Sequence, residues 1–144
     1  MQLLLIKPAS FSFNLETSSS NIFQNENNQQ DIFKKAKEEF QKLVELLINK
    51  NISVKIIDDT DLPIKPDAIF PNNWFSSHED GTIVLYPMMA ANRRLERRRD
   101  IIELLHPSKI IDLSFYEQQE KYLEGTGSIA VSYTHLTLPT KRIV

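Results

Sequence analysis

The stretch from Asp31 to Asn49 constrains the fold more than any other part of this chain. Phe33, Ala36, Phe40, Leu43, Val44 and Leu47 return at the spacing of a helix with one apolar face. Lys34, Lys35, Lys37, Glu38, Glu39, Gln41 and Lys42 fill the opposite side. Asp31 is the expected N-cap, and Asn49-Lys50-Asn51 suits the C-terminal end. The apolar run Leu3 to Ile6, stopped at Lys7-Pro8, and the run Ser53 to Ile57 both read as strands. A strand, a helix of ordinary length and a second strand specify an α/β layer.

The remaining segments are assigned in the same way. Ser10 to Gln30 sets Phe11, Phe13 and Phe23 among Asn, Gln and Ser, and reads as a long loop, either a binding lid or a solvated insertion. Asp58 to Pro71 holds three prolines and four aspartates and is a connection. Trp74 to Ser77 and Thr82 to Tyr86 flank His78-Glu79-Asp80-Gly81, a strong hairpin signal. Asn92 to Leu105 is expected to be one helix and Lys109 to Leu113 a strand. Leu123 to Ala130 is expected to start as a strand that Gly125-Thr126-Gly127 breaks.

A length of 144 residues is that of one domain, long enough to bury a substantial core. There are 17 basic and 19 acidic residues, a balance unlike a nucleic-acid coat or a polybasic membrane surface. With no cysteine, the chain cannot form a disulfide, a thiolate zinc site or a thiol nucleophile of its own. The apolar start Met1 to Ile6 is too short for a signal peptide, and no run approaches a membrane span. The default location is the cytoplasm.

The end of the chain has an unusual reading. Val131 to Thr140 is encoded in order by GTC TCT TAT ACA CAT CTG ACG CTG CCG ACG, the pattern of a transposon mosaic-end adapter from library preparation. Residues 131–144 are therefore expected to be adapter-derived and are set aside from functional reasoning. Lys141 and Arg142 fall in that tail, leaving 15 basic and 19 acidic residues in residues 1–130. A stop codon directly after this stretch in finished genomic DNA refutes the adapter reading.

Three places in residues 1–130 can carry chemistry. The chain has only three glycines, one in the hairpin turn and two in Glu124-Gly125-Thr126-Gly127-Ser128. Glycine used so sparingly points to a backbone need. Glu124 either faces a pocket as charge partner or proton acceptor, or is a solvated residue before an ordinary turn. Asn72-Asn73-Trp74 lies between proline-restricted segments. Its paired amides suit recognition of a neutral polar group, or else form a turn beside a core Trp. Asn92-Arg93-Arg94-Leu95-Glu96-Arg97-Arg98-Arg99 can bind an anion, but a solvated, salt-bridged face is the favoured reading for most of its arginines. Nucleic-acid binding there is the weakest reading, because Glu96 interrupts the run and no aromatic residue interleaves. His78 and His106 lack metal-ligand spacing, and no P-loop or Gly-x-Gly-x-x-Gly is present. No metal or cofactor is therefore expected.

Taken together these segments resemble a known family. Phe11, Phe13, Asn14, Glu16, Thr17, Phe23-Gln24, Pro66 to Ser76, Asp80-Gly81, Leu85 to Met88, Asn92-Arg93-Arg94, Glu96-Arg97 and Leu123 to Ser128 resemble the citrulline-utilization hydrolases. These belong to the guanidino-group-modifying superfamily, with arginine deiminase, dimethylarginine dimethylaminohydrolase and the amidinotransferases. The resemblance implies a pentein fold, a fan of ββαβ modules, with only the N-terminal modules present in residues 1–130. It also implies a cysteine thiolate that attacks a guanidinium or ureido carbon, and a histidine that moves protons.

By the resemblance, Glu124 is the catalytic carboxylate, and Asp67, Asn72, Asn73, Trp74 and Arg93 contact a small-molecule substrate, citrulline or an arginine derivative. Asn73 stands where arginine deiminase-like members usually have a substrate-binding Asp. The family's Cys and His lie beyond Ser128 and have no counterpart here, so the chain is expected to be an inactive fragment, with an oligomer possible. The rival expectation is a non-catalytic α/β module that binds a small ligand through the Asn-Asn-Trp loop.

Overall fold

The computed structural model describes residues 2–18, 29–125, 129–131 and 136–137. Two compact units divide the chain, Met1–Pro71 and Asn72–Val144.

In the first unit, β1 (Gln2–Lys7) and β2 (Ser53–Asp58) pair in parallel, from Gln2 opposite Ser53 to Lys7 opposite Asp58. Parallel neighbours need a long crossover. It contains α1 (Leu15–Ser18) and α2 (Gln29–Asn49), and α2 packs on β2. Helix α2 buries Val44 and starts two residues before the expected cap, so Asp31 lies inside its first turn. Gln29 and Gln30 are good helix formers and extend the helix. The other end closes as expected. Asn51 is left-handed (φ 58°), Ile52 donates to the Leu47 carbonyl at 3.0 Å and Asn51 to that of Ile48 at 2.9 Å, the Schellman pattern. The expected loop Ser10 to Gln30 is thus partly helical at both ends, and residues 19–28 lie outside the described set.

The connection after β2 is organised by a buried cation. Lys65 is 1% exposed. Its Nζ donates to the Thr60 hydroxyl at 2.7 Å and to the Pro63 carbonyl at 2.9 Å, and lies 3.2 Å from Asp59. An ammonium so enclosed needs all of its donors met. These partners hold the proline-rich segment in one conformation.

The second unit contains the expected hairpin. β3 (Phe75–Ser77) and β4 (Thr82–Leu85) are antiparallel, and Gly81 takes φ 79° in their turn. β5 (Lys109–Asp112) then joins β4 in parallel, giving the order β3-β4-β5. Two antiparallel strands, a helical crossover and a parallel strand make one ββαβ module. Trp74, Ile83, Met88 and Ile101, each 2% exposed or less, form its centre.

The crossover differs from expectation. The single helix Asn92 to Leu105 is two short helices, α3 (Ala91–Arg94) and α4 (Arg99–Leu104), with Arg98 extended between them. Tertiary ion pairs cause the break. Glu96 turns inward to 2% exposure, and Arg97 is drawn to the Tyr86 carbonyl and to Glu117. Glu117 lies on a 3-10 helix, Ser114–Gln119, that the sequence did not reveal.

The expected strand from Leu123 is also absent at its start. Leu123 donates to the Pro87 carbonyl at 3.0 Å outside any ladder, and the Gly125 carbonyl accepts from the Ile129 N–H at 2.8 Å. Thr126, Gly127 and Ser128 lie outside the described residues. β6 (Ala130–Val131) and β7 (Leu136–Thr137) form a short antiparallel pair.

Candidate functional site

Two motifs 53 positions apart in sequence meet in the second unit. A 3-10 turn, Pro71–Asn73, leads into β3 and presents Asn72 and Asn73. Trp74 follows, 1% exposed, its ring 4.4 Å from that of Phe75, and its carbonyl accepts from Tyr86 at 2.9 Å. Trp74 is therefore a core residue that fixes the turn. Against this turn lies Gly125. A Cβ there would fall 2.1 Å from the Asn72 carbonyl oxygen and 3.1 Å from that of Asn73. No side chain fits at such distances, so glycine is required for the Glu-Gly motif to reach the Asn-Asn turn.

A buried guanidinium joins the two motifs. Arg93 is 6% exposed, Glu96 2% and Glu124 8%. Glu96 takes Arg93 in a fork, with Nε donating to Oε1 at 3.0 Å and Nη2 to Oε2 at 3.2 Å. Nη1 lies 3.5 Å from Oε2 of Glu124. The other Glu124 oxygen accepts from the Met89 N–H at 3.1 Å. Asn73 completes the group. One end of its carboxamide lies 3.3 Å from Nη1 and 3.0 Å from Nη2. Forked charge-assisted pairs of this kind are short and directional.

A second ion-pair group lies on the same crossover. Glu117 accepts from the Met88 N–H at 2.7 Å and from Arg97, and sits 3.4 Å from Arg94. Burial alone raises its carboxyl pKa. The Arg97 and Met88 hydrogen bonds and the charges of Arg97 and Arg94 outweigh that and hold it below the ordinary glutamate value.

The favoured solvated-face reading of the arginine run holds only for its end. Arg99 is exposed and pairs with Glu103 one helical turn on, whereas Arg98, paired with Asp100, keeps only 16% of its side chain exposed and does not fit that reading. Arg93 contradicts it by burial, and Arg94 and Arg97 are half-buried against Glu117. Sequence reasoning missed Glu96 and Glu117 as partners. The i, i+3 spacing of Arg93 and Glu96 was the available signal, and nothing marked Glu117.

Asp67 belongs to the first unit. It is 5% exposed and accepts from Nδ2 of Asn14 at 2.7 Å. Asn14, 1% exposed, also accepts from the Glu16 N–H at 3.1 Å and so caps the start of α1. Among the site residues expected from sequence, Asn72, Asn73, Trp74, Arg93 and Glu124 are gathered in one unit and Asp67 lies in the other.

Comparison with solved structures places this architecture. A dimethylarginine dimethylaminohydrolase, solved as an adduct with S-methyl-L-thiocitrulline, superposes with a TM-score of 0.67 at 13% identity, covering 95% of this chain and 49% of that one. ArgZ, described as an arginine dihydrolase from the ornithine-ammonia cycle in cyanobacteria, gives a TM-score of 0.69 at 17% identity, covering 92% of this chain and 19% of that one. A mutant of AgrE in binary complex with L-arginine gives a TM-score of 0.63 at 16% identity, covering 90% and 18%. The chain thus spans about half the length of the first of these proteins and about a fifth of the others. No curated protein sequence matches it.

The fold is a partial pentein, and the chain is a member of the guanidino-group-modifying superfamily. Within that class, residues 7–135 match the family described as N,N dimethylarginine dimethylhydrolase, eukaryotic, and the chain belongs to it.

Proposed function

We propose that this chain is the N-terminal part of a hydrolase that acts on the ureido or guanidino carbon of citrulline or a related arginine derivative. The observation that carries the reading is the meeting of Asn73 and Glu124 on one guanidinium, with Gly125 pressed against the Asn-Asn turn. Glu124 is the catalytic carboxylate in this reading. Asn72, Asn73 and Trp74 form the substrate loop, with Arg93 as a further binding residue of the same unit, and Asp67 is a binding residue of the first unit. Residues 1–130 are the start of the catalytic domain, and residues 131–144 are adapter-derived. A cysteine thiolate and a histidine, both encoded beyond residue 130, complete the chemistry. The thiolate attacks the substrate carbon, a nitrogen leaves carrying the proton supplied by the histidine, and water releases the thiol adduct. The substrate is a small molecule, and the reaction is cytoplasmic. Among the described residues no helix is long and apolar enough to cross a membrane.

Asn73 favours a neutral ureido group. A carboxylate at this position offsets the burial of a cationic guanidinium, whereas a neutral ureido group brings no charge to balance a buried carboxylate. A second reading, a non-catalytic small-ligand module, is favoured by the complete lack of cysteine.

Clean genomic sequence past codon 130 separates the two. A downstream His and a near-terminal Cys support the enzyme, and a native stop supports the module. In the extended protein, Asn73→Asp is expected to shift the ratio of kcat/KM values for citrulline and arginine toward arginine by at least about tenfold, the effect of one charge-assisted hydrogen bond. An unchanged ratio refutes the ureido assignment.

A further inference from the structure

Past the end of β4 the chain leaves the sheet, and its buried backbone groups need other partners. The carbonyls from Tyr86 to Met89 are met by side chains and one loop amide. That of Tyr86 accepts from Arg97 Nη1 at 3.2 Å, and that of Pro87 from the Leu123 N–H at 3.0 Å. The next two both go to Arg94. Its Nε donates to the Met88 carbonyl at 3.0 Å and its Nη2 to the Met89 carbonyl at 3.1 Å, where the chain bends. The Met88 N–H donates to Glu117 at 2.7 Å.

The peptide group between Met88 and Met89 therefore has a charge at each end. Its oxygen accepts from the Arg94 guanidinium, and its N–H donates to Oε1 of Glu124 at 3.1 Å. A peptide dipole is negative at oxygen and positive at hydrogen, so the cation and the anion each stand at the end that attracts them. Hydrogen bonds in such a chain polarise and strengthen one another. Met88 is 0% exposed and Glu124 8%, which keeps most water from competing. Arg94 is itself held, with Nε 3.4 Å from Glu117 and Cζ 5.9 Å from the centre of the Tyr122 ring. Its second bond, to the Met89 carbonyl, stops the Met88–Met89 peptide plane from turning without a hydrogen bond being broken.

We propose that Arg94 is a positioning residue for Glu124, acting through the peptide group between Met88 and Met89. Glu124 is the catalytic carboxylate in the proposed function, and the part given to Arg94 rests on that reading. Arg93 reaches Glu124 directly, at 3.5 Å from Oε2, whereas Arg94 reaches it only through the backbone. Without Arg94 the peptide plane is free to turn, and Oε1 loses the donor that aims the carboxylate. A misdirected carboxylate slows the chemical step, because proton transfer and charge stabilisation both depend on geometry.

The test uses the 144-residue chain, labelled uniformly with 15N and with 13C at the glutamate side-chain carboxyl. A through-hydrogen-bond coupling between the Met89 nitrogen and the Glu124 carboxyl carbon is expected. Arg94→Met keeps an apolar stem and removes both carbonyl bonds. It should abolish the coupling and speed exchange of the Met89 amide hydrogen by about tenfold or more, as for loss of one hydrogen bond to a charged group. The Tyr86 and Leu113 amides, bonded to the Trp74 and Leu85 carbonyls, should keep their exchange rates. Arg94→Lys, which keeps the charge and a donor for the Met88 carbonyl, should retain the coupling, and the exposed Arg99→Gln serves as control. In the chain extended to its natural C-terminus, Arg94→Met is expected to lower kcat by about tenfold and to leave KM within about twofold.

If Arg94→Met does not fold, Arg94→Gln, too short to bridge both carbonyls, is read in its place. A folded wild-type chain without the coupling overturns the proposal, as does a folded variant that keeps both the coupling and slow Met89 exchange. Faster exchange at Tyr86 and Leu113 together with Met89 marks a general loss of packing and also overturns it. A fall in kcat with the coupling intact overturns the route through the peptide. Selective loss at Met89 with kcat unchanged upholds the positioning and overturns the reading of Glu124 as the catalytic carboxylate.

Discussion

At the scale of single residues, this site is held by groups that leave their neighbours no alternative. Gly125 is the clearest case. Its hydrogen occupies the place where any Cβ would sit 2.1 Å from a backbone oxygen, and neither backbone can retreat without moving Trp74 or Glu124. Gly125→Ala is therefore expected to cost about 1–3 kcal/mol, the usual range for forcing a methyl group into a packed site. Urea unfolding at neutral pH measures it, and a shift in midpoint under a quarter of that size rules out the close approach. The economy of glycine was legible in the sequence, and so was the motif. The atom that forbids a side chain was not, because it belongs to a residue 53 positions earlier. Arg93 shows the same limit. Sequence offered it as one of five similar arginines, and burial beside Glu96 and Glu124 sets it apart.

At the scale of elements, local patterns gave the strands, the long helix and the hairpin, because each rests on short-range chemistry. Gly81 supplies the positive φ that the turn needs, and Asn51 supplies it at the end of α2. The failures at Arg97 and at Leu123 involve distant partners. The helix expected from Asn92 to Leu105 breaks where Glu96 and Arg97 leave the helical path for buried partners. The 3-10 helix Ser114–Gln119 answers that break, since Glu117 supplies the carboxylate that Arg97 and Arg94 meet. The joint between crossover and 3-10 helix should be sensitive to acid. The Glu117 carboxyl has a lower pKa folded than unfolded, so its stabilisation is complete above the unfolded value and is lost as pH falls through the depressed folded one. Urea midpoints measured between neutral pH and about pH 3 should fall for the wild type. They should fall less steeply for Glu117→Gln, and equal slopes count against the pair as a structural joint.

At the scale of the whole molecule, one ββαβ module and a parallel β-α-β unit belong to a larger pentein fan, of which the chain spans about half the length in one solved relative. Strand β5 lies at a sheet edge, and Ile110 and Ile111, which point to opposite faces of the strand, are both exposed. The chain as it stands has no thiol. It is expected to release no ammonia from L-citrulline or L-arginine and no dimethylamine from dimethylarginine, and any turnover above the buffer rate contradicts the cysteine mechanism. The α/β class, the hairpin, the two motifs and the superfamily were determined by the sequence alone, because they depend on periodicity, turn chemistry and residue order. Only the tertiary structure decided that Arg93 is buried, that Glu96 rather than solvent receives it and that Asp67 stands with Asn14 in the other unit. Those outcomes depend on which charges lose water together, and that is fixed by residues far apart in the chain.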